Sequence, residues 1–318
     1  MVFCNIEFDE MILEKNDLFV ACLGYEERSF YLYDKFFSRL NKGNSLIFIL
    51  DNYKSYDISI CDKIKDIIES DITCKLIGVQ QEDEKIFQQL VVDRVVELME
   101  DRKDVKINID YSSMPHGWYC KLPEILSVNV RAGDEISFWY SEGNYIELER
   151  KNETIGIGES KLYSGRSSLD TKRSRVHLLG VGYDSVRTQG IVSILDPEYC
   201  IVCEAYNPKQ RKIHENVVNA NSSILEQTPV HLTLYITDME FMIAKLKGII
   251  NELYIIGGSD VILVPDGPKP LIFAMSMMPW LIGKEGISCL HISGNNANVK
   301  ANIKPQGEIL GFSIRNEK

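Results

Sequence analysis

Phe19-Val20-Ala21-Cys22-Leu23-Gly24-Tyr25-Glu26 and Val176-His177-Leu178-Leu179-Gly180-Val181-Gly182-Tyr183-Asp184 follow one pattern: an apolar run, then Gly-Tyr-acid, then an arginine, Arg28 or Arg187. A second pair of stretches stands downstream. Ile107-Asn108-Ile109-Asp110 leads into Tyr111-Ser112-Ser113-Met114-Pro115, and Val261-Ile262-Leu263-Val264-Pro265-Asp266 leads into Gly267-Pro268-Lys269-Pro270. Gly24 and Asp110 are 86 positions apart, Gly182 and Asp266 84. Similar motifs at similar spacing indicate two similar supersecondary units in tandem.

Working outward, apolar runs alternate with amphipathic stretches. In the first half, strands are expected at residues 18–23, 45–50, 74–79, 105–110 and 135–140. Helices are expected at 27–40, 58–68, 84–99 and 118–126. The second half repeats the order, with strands at 176–181, 199–204, 230–236, 260–264 and 287–292. Its helices are expected at 185–195, 208–226, 239–251 and 271–282. The halves also end alike, Trp139-Tyr140-Ser141-Glu142-Gly143-Asn144 against Leu290-His291-Ile292-Ser293-Gly294-Asn295. Apolar strands alternating with helices imply parallel sheets covered on both faces. The expected fold is therefore α/β, a tandem duplication of two Rossmann-like units, each doubly wound around a mostly parallel sheet. The first unit spans residues 1–150 and the second 176–318. Residues 151–175 form a linker or a hairpin, the latter pairing 145–149 with 161–163.

The composition, 45% hydrophobic and 25% charged over 318 residues, is that of a globular protein able to bury a large core. No apolar run is long enough for a membrane span, and the first residues lack the form of a secretory signal. A cytoplasmic protein with reduced thiols is expected, its eight cysteines lying mostly in apolar runs. The net charge of −11 disfavours bulk nucleic-acid binding. The basic stretch Lys161, Arg166, Lys172, Arg173, Arg175 reads as a solvated linker, with phosphate contact the alternative.

In parallel sheets, ligands bind beyond the carboxyl ends of the strands, where both repeated motifs fall. In the first half, Gly24 permits close backbone approach, Tyr25 stacking or hydrogen bonding, and Arg28 a bidentate grip on an anion, with Glu26 beside them. Asp110 suits ribose hydroxyls or a base, and Ser112 and Ser113 suit phosphate. In the second half the corresponding set is Gly182, Tyr183, Asp184, Arg187, Asp266 and Lys269. The helices that follow offer their N-termini to an anion. Capped structural turns are the plainer reading of the same residues. Cys200-x-x-Cys203 lies on an alternating strand, which puts the thiols on opposite faces, so no metal site is expected. Gly180-x-Gly182 lacks the third glycine of a dinucleotide fingerprint. His116 is the one histidine placed for acid–base work, and no cofactor is indicated.

The turn at residues 265–270, followed by an apolar helix, resembles the Gly-Gly-Thr-Lys type motif after the fourth strand of CARF-type Rossmann-like domains. Pro268 stands where that motif has threonine, and the first half has serines and no lysine. Such domains, and the fused pairs in SAVED-type sensors, sense cyclic oligonucleotides or related nucleotides in prokaryotic anti-phage defence. Their ligand contacts come from the loops after the first and fourth strands. The resemblance implies a small nucleotide bound in one asymmetric cleft between the halves, and a separate effector protein as partner. A nucleotide-processing enzyme (glycosidase, transferase or phosphodiesterase) using Glu26, Asp51, Asp110 and Asp266 is the second expectation. An adaptor protein without a small-molecule site is the third.

Overall fold

A computed structural model describes residues 1–41, 43–70, 78–79, 83–145, 154–168, 170, 172–296 and 302–316. The chain divides into two compact α/β units, one comprising Met1–Tyr145 with Lys300–Lys318, the other Ile146–Val299. Among the described residues no helix is long and apolar enough to cross a membrane.

The first unit is built on β1 (Val2–Ile6), β2 (Leu18–Leu23), β3 (Ser45–Leu50), β4 (Gly78–Val79), β5 (Lys106–Asp110) and β6 (Glu135–Gly143), together with β13 (Pro305–Arg315). The sheet order is β1-β13-β6-β5-β2-β3-β4. Strands β4, β3, β2, β5 and β6 are parallel to one another, and β13 lies antiparallel between β6 and β1. Its helices are α1 (Glu10–Glu14), α2 (Tyr31–Phe36), α3 (Ile58–Glu69), α4 (Glu84–Asp101), α5 (His116–Tyr119) and α6 (Leu122–Ser127). Strand side chains alternate between the faces. Phe19, Ala21, Leu23, Ile47 and Ile49 pack with Leu32, Phe36, Ile60 and Ile64 from α2 and α3. Phe48, on the other face, meets Phe87 of α4 and Trp118 of α5. Both faces are thus covered, as the near-continuous apolar strands require.

The second unit holds β7 (Thr154–Arg166), β8 (Arg175–Val181), β9 (Tyr199–Tyr206), β10 (His231–Tyr235), β11 (Asp260–Val264) and β12 (Ile287–Asn296), ordered β10-β9-β8-β11-β12-β7. All neighbours are parallel except β7, which is antiparallel to β12. Its helices are α7 (Ser185–Leu195), α8 (Arg211–Ala220), α9 (Ser222–Gln227), α10 (Met239–Asn251) and α11 (Lys269–Ile282).

Numbered within each half, both parallel sheets run third-second-first-fourth-fifth, with an antiparallel strand outside the fifth. That outer strand comes from the other half of the chain. β7 follows β6 in sequence yet completes β12, and β13 follows β12 yet completes β6. This departs from the expected boundaries. Residues 154–166 are an integral edge strand of the second sheet, with Lys161 opposite His291 and Leu162 opposite Leu290. Residues 146–149, the other arm of the expected hairpin, lie outside the described residues. The last strand belongs to the first unit.

Three expected helices are broken. Residues 27–39 form a 3-10 turn, α2 and a second 3-10 turn. The stretch 116–127 is interrupted at Cys120 and Lys121, just before α6 with Pro123 in its first turn, and 208–227 is interrupted at Asn221. Of the expected strand 74–79, only Gly78–Val79 is described.

The pairing of β13 with β6 places Gly311 opposite Trp139, and a Cβ at Gly311 would overlap the indole ring. Gly311→Ala is therefore expected to destabilise the first unit by about 1–3 kcal/mol, read by urea denaturation. An unchanged midpoint would contradict this pairing.

Candidate functional site

In the first unit the chain's own atoms take up the loops beyond β2 and β5. Arg28 is 3% exposed. Its Nε pairs with the Glu26 carboxylate and its Nη1 donates to the Tyr140 hydroxyl at 2.8 Å. The guanidinium lies 5.3 and 5.5 Å from the Tyr140 and Tyr145 ring centroids. These surroundings hold its pKa well above the usual value, against the cost of burial. The Glu27 amide donates to Asn302 Oδ1 (2.9 Å) and the Arg28 amide to the Ile303 carbonyl (3.1 Å), while Asn302 Nδ2 donates to Glu27 Oε1 (2.7 Å). The segment leading into β13 thus occupies the helix start that was expected to face an anion.

Asp110 is buried, and its Oδ1 accepts both the amide and the hydroxyl of Ser112; the Ser112 Oγ accepts the Ser141 amide at 2.7 Å. Tyr25 packs edge-on against Tyr56 (5.9 Å), and burial, with Glu26, pushes its hydroxyl up to about 12. The Ser113 Oγ is buried without a hydrogen-bond partner, and its side chain lies against Gly24. His116 begins α5 with its ring edge-on to Tyr119.

Strand register shows which residues of the two units occupy matching places. Ala21 pairs with Asp110, and Leu179 pairs with Val264. Gly24 and Gly182 each stand three residues beyond those pairs. Asp110 therefore matches Val264, and Asp266 takes the place of Ser112. The equivalence of Asp110 with Asp266 suggested by spacing is displaced by two residues. Tyr140 and His291 match in the same way on the fifth strands.

In the second unit the two loops pack backbone on backbone. A Cβ on Gly180 would overlap Asp266, and one on Gly182 would lie 3.0 Å from the Gly267 Cα. Gly267 has φ +104°, and a Cβ there would sit 2.7 Å from the Val181 carbonyl oxygen. These glycines admit the neighbouring loop rather than leaving the turn open. Asn221, fully buried at the break between α8 and α9, donates to the Gly182 carbonyl at 2.9 Å. Asp184 caps α7 by accepting the Arg187 amide at 3.0 Å.

Arg187 reaches inward. Its Nη2 donates to the Ile292 carbonyl at 2.8 Å, and its Nε stands 3.7 Å from Asp266 Oδ1, an ion pair too long for a hydrogen bond. The Arg187 Nε and the Asp266 Oδ2 are both buried and have no hydrogen-bond partner. Asp266 is 7% exposed; burial raises its pKa, against Arg187 and the Gly267 amide. Lys269 opens α11, but the Leu271 and Ile272 amides of that turn both donate to the Pro268 carbonyl, and Pro270 has no amide hydrogen. Tyr183, at 41%, is the exposed side chain of the group.

His291 stacks on Tyr163 of β7, with ring centroids 4.8 Å apart and planes 5° apart. Burial lowers its pKa to about 4, with Arg187 and Lys161 adding to the effect. No local pattern marks Tyr163 or Asn221 as site residues; Lys161 stands out only as part of the basic stretch, and His291 only by its alignment with Tyr140 at the matched strand ends.

Two arginines of the basic stretch have carboxylate partners. Arg173 pairs with Asp260 at 2.7 Å and Arg166 with Glu285 at 3.0 Å, so neither is a free phosphate contact. Cys200 and Cys203 are free thiols pushed by burial to about 11 and 12. Among the described residues no group of three His, Cys, Asp or Glu side chains is placed to hold a metal ion. The side chain of Asp51 lies outside the described residues.

No protein-family model matches the chain, and no curated protein matches it. Among solved structures, one titled "Crystal structure of the cytoplasmic domain of a prokaryotic cation chloride cotransporter" aligns over 87% of this chain and 95% of its own, at 11% identity. Its TM-score of 0.22 carries no argument about fold or function.

Removing the Arg28 side chain strands the largely buried Glu26 carboxylate. Arg28→Ala is expected to cost about 3–5 kcal/mol in urea denaturation. The double variant with Glu26→Gln should recover much of that loss. A cost below about 1 kcal/mol would contradict a structural role for Arg28.

Proposed function

We propose that the second unit binds a small anionic nucleotide at the carboxyl ends of β8, β11 and β12. The observation that carries this reading is the Arg187–Asp266 pair. It leaves a donor and an acceptor unmet in a buried place, where such groups are normally satisfied. A sugar hydroxyl would donate to Asp266 Oδ2, and a phosphate would meet Arg187, with Lys269 at the start of α11 as a further charge. The exposed Tyr183 ring would offer a face to the base.

The matched strand order and register support reading the halves as a duplicated Rossmann-like unit. In that reading the first copy's loop has become structural, closed by Asn302 and Ile303, and the second has kept the ligand. Binding without turnover makes the protein a sensor, with a separate effector as the recipient of the signal, in line with the CARF-like turn. One observation favours an enzyme instead. Asp266 is a buried carboxyl with a raised pKa beside an arginine, the setting of a general acid or base. Recovery of unchanged nucleotide after long incubation separates sensing from processing.

Isothermal calorimetry against cyclic and linear nucleotides is the test of binding. Wild-type binding should weaken at least tenfold in Arg187→Ala and in Asp266→Asn, and persist in Ser113→Ala. Asp266 also predicts a stability signature. Its folded pKa is raised, so the ionised carboxylate disfavours the fold once the pH exceeds the unfolded value, about 3.9. Asp266→Asn should therefore hold or raise the melting temperature at pH 7 while losing binding. Absence of binding by folded wild-type protein across the panel would overturn the proposal.

A further inference from the structure

We propose that nucleotide binding in the second unit is coupled to proton uptake by His291, so that an anion held at Arg187 recruits a proton onto the neighbouring imidazole. This rests on the ligand site proposed above and adds its regulation. The geometry sets two cations near one imidazole, Arg187 and the exposed Lys161. His291 lies on β12 one residue before Ile292, whose carbonyl receives the Arg187 guanidinium. Its ring is sandwiched flat against Tyr163, and Lys161 is its strand partner on β7. The charged and titratable groups facing it are Lys161 and Tyr163 from β7 and Arg187 from α7. Asp266 and Asp184 lie across the arginine. The helix α11, which packs on β12 and β7, is uncharged from Pro270 to Ile282.

Two fixed positive charges and a largely buried ring make a third positive charge costly, so His291 is neutral near pH 7. A bound phosphate supplies the missing negative charge. It cancels the field of Arg187 and Lys161 at the imidazole, so protonation moves up from about 4 toward its ordinary range near 6.5, held below it by burial, the larger cause. The linkage has a definite sign. The bound form holds the extra proton, so affinity must rise as the pH falls through that range.

The first unit has no such device. Tyr140 occupies the place of the imidazole and accepts from Arg28, which is already paired with Glu26.

A phosphodiester such as cyclic AMP suits the test, because its charge is fixed between pH 5 and 8. Calorimetry at pH 5.5 and 7.5 should show tighter binding at the lower pH, by at most about tenfold. Heats at pH 5.5 in buffers of different ionisation enthalpy should report net proton uptake, of less than one proton per site. His291→Gln should bind with little pH dependence and no uptake. The His291 ring resonance, assigned by its loss in that variant, should show a neutral imidazole down to pH 5.5 in the free protein.

Cyclic AMP binding without proton uptake, or uptake that persists in His291→Gln, overturns the coupling and leaves the ligand site standing. A free-protein His291 that titrates near 6.5 overturns it with no ligand present. Absence of binding by cyclic AMP and by every nucleotide of the panel overturns the ligand site itself.

Discussion

The outer edge of the fifth parallel strand in each sheet must be hydrogen-bonded, and the rest of the structure follows from how the chain does this. β6 is buried along nearly its whole length, so its free N–H and C=O groups have no access to water and require a protein partner. The next strand in sequence, β7, is used on β12, and β13 meets the need instead. The first unit is therefore complete only when the last residues of the chain are in place. The residues entering β13 then fall on the loop after β2, where Asn302 and Ile303 take the Glu27 and Arg28 amides. A requirement of sheet pairing thus closes one of two loops that otherwise look alike in sequence.

The two arginines show the consequence. Arg28 and Arg187 both start from the turn after a first strand, and both reach the fifth strand. Arg28 finds Glu26 and Tyr140 there and is fully engaged, a buried ion pair whose value lies in being unbroken. Arg187 finds a backbone carbonyl, a carboxylate at 3.7 Å and, nearby, an imidazole whose pKa is lowered by burial and by the cations around it. The first arrangement is self-contained. The second leaves Arg187 Nε and Asp266 Oδ2 buried without a hydrogen-bond partner, a state that a ligand would relieve.

Much of this was legible in the residues. The apolar runs at 18–23, 45–50, 105–110, 176–181 and 260–264 are strands because buried parallel strands are written as continuous apolar segments. The matched ends at Tyr140 and His291 reflect a shared position on the fifth strands. What stayed hidden depends on long-range pairing. Residues 305–315 carry Gly307, Glu308 and Gly311 among their apolar residues, and nothing local says that they pair with a strand some 170 residues earlier. Asp110 and Asp266 were matched by spacing, but connection lengths vary freely, and strand register alone shows Asp266 in the place of Ser112. Gly24 and its counterpart Gly182 suggest close approach of backbone to a ligand. At Gly182, and at Gly180 and Gly267 beside it, the approaching backbone is that of the neighbouring loop.

Hydrogen exchange with and without a saturating nucleotide tests the central claim, that the second unit alone holds the ligand, most directly. Added protection is predicted in residues 183–188 and 266–272, with residues 24–28 and 110–115 unchanged. Protection confined to residues 24–28 and 110–115, or spread equally over both units, would contradict it.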